Sequence, residues 1–277
     1  MLYLVATPLG NLKDITLRAI EVLNEVDMIA CEDTRVSSKL LNHYGISKPL
    51  LSYHDHNADQ MRPRLIGLLK EGKKIAYITD GGMPLISDPG FKLVRECQRE
   101  SIPYTVIPGP SAPLMALCLS GLSPERFYFC GFLSSKQSAR KKALEEIKDI
   151  RATLLFFESP KRLVPLLTDI LHQFGEREGA VCREMTKIYE EVQKGPLSTL
   201  IAHYEANPPR GEVVIVVEGT SKFFSFTEAD LDAELKKALN KFTFKDAVSH
   251  VSSAFGLSKR EVYQRALSLE SEKTRLS

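Results

Sequence analysis

The sequence is informative first for what it lacks. No apolar run reaches the roughly 18 residues that cross a bilayer as a helix, so no membrane span is expected. Met1, Leu2, Tyr3, Leu4 and Val5 pass straight into a strand pattern without a basic stretch before it, so a signal peptide is not expected. Cysteine is scarce: Cys31, Cys97, Cys118, Cys130 and Cys182 are scattered, with no C-x-x-C and no pairing rhythm. Such a set reads as reduced packing thiols in a cytoplasmic protein. There is no H-E-x-x-H and no close Cys/His cluster, so no metal is expected. There is no G-x-x-x-x-G-K-[ST] and no G-x-G-x-x-G, which leaves nucleoside triphosphates and dinucleotides unfavoured. The formal net charge is only +2, so any nucleic-acid contact must come from local patches.

What is present is ordinary in bulk and ordered in detail. Hydrophobic residues make up 43% and charged residues 26%, as in a soluble globular protein. At roughly 150 residues per domain, 277 residues predict two domains and a small extra module. Strand-like runs at 2–6, 28–31, 50–53, 74–78 and 104–107 alternate with helical patterns, which predicts a mostly parallel sheet. Asp14 is a candidate cap for the first helix. The pattern restarts near Gly121, with strand-like runs at 127–132, 153–157, 179–182 and 212–217. The expected division is 1–115, 116–221 and 222–277. Residues 221–226 read as a linker, and only helical patterns follow, one opening at Thr227. Another, over 245–255, ends at Gly256, and Ser258-Lys259-Arg260-Glu261 is a capping box for the next. This layout fits a helix-turn-helix or a plain helical hairpin equally.

The polar clusters fall directly after the strand runs. In a parallel sheet all these loops reach one edge, where ligands bind. The fullest is Thr79-Asp80-Gly81-Gly82-Met83-Pro84-Leu85-Ile86-Ser87-Asp88-Pro89-Gly90, whose glycines permit close backbone approach and whose aspartates accept from amines or hydroxyls. Glu32-Asp33-Thr34-Arg35 is either a helix start with an acid at its N-cap or a polar knot at a cleft. His54 and His56 share a strand face and suit a polar contact or a hydrogen-bonded turn better than a metal. Glu158, Arg183 and Glu184 repeat the theme in the second half. Two such clefts facing each other would bury a mid-sized polar ligand. Lys136, Arg140, Lys141 and Lys142 form a basic run on one helical pattern, read first as a solvated face.

These loops carry a resemblance. Val5-Ala6-Thr7-Pro8-Leu9-Gly10-Asn11, Cys31-Glu32-Asp33-Thr34-Arg35, the loop from Asp80 to Gly90, Pro108-Gly109-Pro110-Ser111-Ala112, Phe157-Glu158-Ser159-Pro160-Lys161-Arg162 and Arg183-Glu184-Met185-Thr186-Lys187 occur in order. The chain resembles the tetrapyrrole (corrin/porphyrin) methylase superfamily, the class III methyltransferases. Within it the chain is most similar to the ribosomal RNA small-subunit methyltransferase I family. It departs from the usual family pattern at Gly81-Gly82-Met83, where Ala-Gly-Thr is common, and at Val36, where His is common. The resemblance implies two α/β domains with a cofactor cleft between them and a small C-terminal helical module. It implies S-adenosylmethionine as cofactor, held by Pro8, Leu9, Gly10, Asp80, Met83, Ile86, Ser111 and Ala112. It implies 2'-O-methylation of a cytidine of 16S ribosomal RNA in the decoding centre, and a homodimer.

In-line transfer to a ribose hydroxyl depends on positioning and gains from a general base. Glu32, Asp33, His54 and Glu184 remain open for that role. Arg35, Lys161, Arg162 and Arg183 are the candidate RNA contacts, able to hold phosphates without reading sequence. Lys259 and Arg260 lie at a helix start, where phosphate is also favoured. A methylase of a tetrapyrrole or other small molecule is the alternative. A regulator working through the C-terminal helices alone leaves the strand-end loops without a role.

Overall fold

The structure, a computed structural model, describes residues 1–220, 228–255 and 257–275. It divides into two compact units, Met1–Gly219 and Thr220–Ser277. The predicted linker at 221–226, the helix opening at Thr227 and the break at Gly256 lie outside the described residues. Among the described residues no helix is long and apolar enough to cross a membrane.

The first unit holds two five-stranded sheets. In the first, β1 (Leu2–Val5), β2 (Met28–Cys31), β3 (Leu50–Ser52), β4 (Ile75–Ile78) and β5 (Tyr104–Ile107) run parallel in the order β3-β2-β4-β1-β5. β4 is a continuous apolar run buried along its length, as a strand covered on both faces must be. Helices α1 (Leu17–Glu25), α2 (Thr34–His43), α3 (Ala58–Lys70), α4 (Phe91–Arg99) and α5 (Ala112–Ser120) connect and follow the strands. Thr16, not Asp14, caps α1: its hydroxyl accepts from Ala19 N at 3.1 Å, while Asp14 sits in a preceding single turn. α3 carries Pro63 within it rather than at its first turn.

The second sheet is mixed, which strand–helix alternation alone does not predict. Its strands are β6 (Phe127–Phe132), β7 (Thr153–Glu158), β8 (Glu178–Arg183), β9 (Glu191–Pro196) and β10 (Val213–Val217), in the order β6-β7-β10-β8-β9. β6 and β7 are parallel, whereas β10 runs antiparallel to both β7 and β8. β9 has no strand-like pattern; it is a polar edge strand ending Gly-Pro, and pairing with β8 alone forms it. Helices α6 (Gln137–Ile147), α7 (Leu163–Phe174) and α8 (Leu197–Ala206) accompany it.

Among the described residues the second unit is three helices, α9 (Glu228–Leu239), α10 (Phe244–Phe255) and α11 (Lys259–Arg275). Leu235, Ala238, Val248, Val251, Val262 and Ala266 are buried together. The capping box is formed: Ser258 Oγ accepts from Glu261 N at 3.2 Å, and Glu261 Oε2 accepts from Ser258 N at 3.0 Å. Arg265 clamps Asp232 through two 2.6 Å hydrogen bonds.

Candidate active site

Three loops at the carboxyl edge of the first sheet are stitched together. Thr7 N donates to Gly82 O at 3.0 Å, Gly82 N donates to Thr7 O at 2.9 Å, and Thr7 Oγ1 donates to Thr79 O at 3.0 Å. Gly82 has φ +88°, and a Cβ there would come within 3.0 Å of Leu9 Cδ2, so glycine is what lets the loops after β1 and β4 close. Gly109, after β5, packs on Ala6, where a Cβ would stand 2.9 Å from the alanine methyl. The far end of the β4 loop is held by Tyr77, whose hydroxyl donates to Pro89 O at 2.9 Å. The buried Tyr53 ring meets the Tyr77 ring edge-on, with centroids 5.6 Å apart.

Between these loops and the second sheet lies a cavity of about 310 Å³. From the first sheet come Leu9, Asp80, Met83, Ile86, Ser111 and Ala112, together with Gly81, Gly82, Asp88 and Pro113. Pro8 and Gly10 are not in its wall. Gly10 instead lies under Lys187, whose side chain occupies the space a Cβ would need. From the second sheet come Phe132, Phe157, Glu158, Met185, Glu212, Val213 and Val214. The antiparallel β10 explains the last of these. Its first residue, Val213, pairs with both Glu158 and Arg183, so its amino end reaches the edge where β7 and β8 finish.

A second cavity of about 430 Å³ is lined by Glu32, Asp33, Thr34, Arg35, Ser52, His54, His56 and Asp80. Asp80 therefore stands in both walls. Asp33 caps α2, accepting from Arg35 N at 2.8 Å, and is clamped by the Arg35 guanidinium at 2.6–3.2 Å. Both readings of this motif thus hold at once: it starts a helix and walls a cleft. The rings of His54 and His56 lie 6.0 Å apart, and no group of three or more metal-ligating side chains occurs among the described residues.

The other sequence candidates are engaged elsewhere. Glu184, at φ +49°, lines neither cavity; its Oε1 accepts from Lys187 Nζ and from Glu212 N, both at 2.9 Å. Arg162 pairs with Glu158 at 2.9 Å and donates to Leu133 O at 2.7 Å. Arg183 pairs with Glu191 at 2.7 Å. Lys161 is exposed and forms no ion pair among the described residues. Arg140 is not on a solvated basic face: it is 5% exposed and bound to Asp169.

Charge at the site is unbalanced. Asp33 is held down to about 2 by the Arg35 hydrogen bonds. Its neighbours move the other way: burial first, then Asp80, Asp55 and Asp33, raise Glu32, against His54. Burial raises Asp80, and burial with Glu32 and Asp80 pushes Asp88 up to about 7, against the Thr79 hydroxyl. For Asp88 the folded value lies above the unfolded one, so the native state holds the extra proton between pH 4 and 7 and stability falls as pH rises through that window. Asp88→Asn is expected to flatten that fall and to stabilise the protein by about 1–2 kcal/mol at pH 8, discounted for partial exposure. Urea unfolding at pH 5 and pH 8 measures it; equal slopes in both proteins count against the assignment.

Asp88 and Glu158, singled out in the sequence as polar loop residues without a cofactor role, stand in the cavity wall, and Met185 lies within a quoted motif and could have been named. Phe132, Val213 and Val214 read as ordinary strand core, and only strand direction reveals them.

This fold and cleft define a class. Residues 1–201 match the family described as Tetrapyrrole (Corrin/Porphyrin) Methylases. The solved structure of a diphthine synthase shares the fold, with TM-score 0.64 at 18% identity over 79% of this chain and 89% of that one. Residues 227–270 match the RsmI C-terminal HTH domain. "Ribosomal RNA small subunit methyltransferase I" of Mesorhizobium japonicum is 46% identical over 271 residues, 97% of this chain and 92% of that protein. The protein of that name in Thermotoga maritima is 47% identical over 218 residues, 79% of this chain and 98% of its own length. The chain belongs to the ribosomal RNA small subunit methyltransferase I family.

Proposed function

We propose that this chain methylates small-subunit ribosomal RNA with S-adenosylmethionine, and that the acceptor is the 2'-hydroxyl of a cytidine of 16S RNA in the decoding centre. The observation that carries the reading is the make-up of the first cavity in a chain of this family. A folded, cationic cofactor needs acceptors for an amine and ribose hydroxyls, backbone amides for a carboxylate and an apolar slot for a base. Asp80 and Asp88 supply the acceptors, and Gly81 and Met83 can supply backbone amides, Gly82 N being bound to Thr7 O. Leu9, Met83, Ile86, Phe132, Phe157 and Met185 supply apolar wall. Glu158, buried in the same wall, has its charge balanced by Arg162 at 2.9 Å, so it contributes polar wall and no free acceptor charge.

When bound, the cofactor supplies a methyl group on sulfonium, a good leaving group. The chain's own work is to orient the acceptor, exclude water and take a proton. Relatives bearing the ribosomal RNA name support the substrate. One of them is matched over 98% of its length by 79% of this chain, which supports placing the chemistry in the first unit and an accessory role in the C-terminal helices. The same reading carries a cleft between residues 1–115 and 116–221, a cytoplasmic setting and a homodimer.

The test is transfer of labelled methyl to small ribosomal subunits lacking the modification, with naked 16S RNA in parallel and mass mapping of the product. Label on a cytidine ribose is expected. Cofactor binding with no label on either RNA would remove the ribosomal substrate and leave a small-molecule methylase.

A further inference from the structure

We propose that the second cavity is the acceptor site, that it takes the ribose of an unpaired nucleotide, and that Glu32 is the side chain that receives the 2'-hydroxyl proton. This rests on the function proposed above and deepens it.

The cavity's chemistry selects the ligand class. Its wall is polar throughout, made of carboxylates, hydroxyls, two imidazoles and a single guanidinium. That guanidinium, Arg35, is already bound to Asp33, and among the described residues no lysine lines the wall. A flat macrocycle bearing many carboxylates would find acids where it needs cations. A sugar presents hydroxyl donors and suits such a wall. Arg35 keeps most of its side chain in solvent, 87% exposed, so it can still meet a phosphate at the rim. Asp80 joins this cavity to the first, so whatever each holds is separated by one side chain.

The four candidate bases separate by what already holds them. Asp33 is spent on Arg35 and on capping α2. Glu184 is spent on Lys187 and Glu212 N and lies outside both cavities. His54 also lines the cavity with its Nδ1 buried and without a partner among the described residues, so it is the competing base. Its imidazole leans on the His56 ring, whereas a carboxylate needs no tautomer set for it. Glu32 is half-buried in the wall and has no hydrogen bond or ion pair among the described residues. A carboxylate kept free at a cavity wall costs solvation with nothing in the chain to offset it, which is the signature of a group waiting for a donor.

The groups facing Glu32 are Asp33 beside it, His54 and Asp55 after β3, and Tyr77, Asp80 and Asp88 of β4 and its loop. Burial first, and then the surrounding acids, raise its proton affinity, which suits a base that must hold a proton. In the step, the 2'-hydroxyl gives its proton to a Glu32 oxygen, its lone pair forms the new O–CH3 bond, and the electron pair of the broken C–S bond stays on sulfur. The products are the methyl ether, a neutral thioether and protonated Glu32, which returns its proton to water.

The test compares wild type with Glu32→Gln, Glu32→Asp and His54→Gln, reading calorimetric binding of S-adenosylmethionine, KM for unmodified small subunits, kcat and its pH profile. Glu32→Gln is expected to bind the cofactor and the subunit within about threefold of wild type and to lose at least ~100-fold in kcat. The wild-type rate should rise with pH as Glu32 ionises, and that rise should vanish in Glu32→Gln. Glu32→Asp should restore part of the rate, and His54→Gln should keep the pH-dependent rise. Normal kcat with the rise intact in Glu32→Gln overturns the assignment while ribose labelling by the wild type leaves the proposed function standing. A wild type that labels no ribose removes both.

Discussion

Asp80→Asn is expected to weaken S-adenosylmethionine binding by roughly 10–100-fold, the worth of one hydrogen bond to a charged group in a closed site. Among the described residues Asp80 is the one side chain in both cavity walls, and its only hydrogen bond is a long one, 3.3 Å from Asp33 N. The protein therefore gives up little internal bonding when the charge goes. It gains something: burial raises Asp80 against the hydrogen bond from Asp33 N, and Asp80 in turn raises Glu32 and Asp88. The variant should then be at least as stable as wild type at pH 8 while binding worse, the trade expected where a site stores unfavourable charge. Calorimetry of the cofactor and urea unfolding of the same preparation check the two halves. Loss of both would make Asp80 a structural residue, and loss of neither would move the cofactor away from the β4 loop. A further consequence follows for the acceptor: with Asp80 neutral, Glu32 ionises more readily, so the acid side of the pH–rate profile should shift to lower pH.

Much of this site is legible in the residues because loops in a parallel sheet have nowhere else to go. The Asp80–Gly90 loop, Leu9, Ser111 and Ala112 each follow a strand whose apolar run is unmistakable, and parallel pairing brings them to one edge. The Glu32–Arg35 motif follows the same logic from β2. The second sheet resists such reading because its geometry depends on direction. Val213 and Val214 sit in a plain apolar strand, and their place in the cavity follows from β10 running against β7 and β8. Nothing in Val-Val-Ile-Val-Val reports that. β9 is harder still, since pairing with β8 outweighs a sequence poor in strand formers. Pro8 and Gly10 share a motif with Leu9, but only Leu9 is in the cavity wall, and Gly10 makes room for Lys187. Met83 and Val36, the departures from the family pattern, fall differently: Met83 is cavity wall, while Val36 is an exposed residue of the first turn of α2.

Arg140→Ala is expected to destabilise the first unit by about 3–5 kcal/mol, the largest stability effect among these changes. The run Lys136, Arg140, Lys141, Lys142 looks like one basic face, but Arg140 and Leu144, one helical turn apart, are the two side chains α6 buries. The guanidinium meets Asp169 of α7 at 2.6–2.7 Å, with Arg140 5% and Asp169 2% exposed. Removing the cation leaves that carboxylate buried, with only a 3.2 Å hydrogen bond from Gln137 and Lys141 at 3.9 Å to hold its charge. The cost comes from the orphaned charge more than from the lost attraction, which gives the prediction a second half. Arg140→Met combined with Asp169→Leu removes both charges and keeps apolar volume, and it should recover most of the loss. Urea unfolding of the single and double variants decides between the two sources. If the double variant is as unstable as Arg140→Ala, the ion pair itself holds α6 to α7. If it recovers, the pair is tolerated because its members cancel. Neither residue lines a cavity, so cofactor affinity in the folded fraction should stay at the wild-type value in every variant of the series.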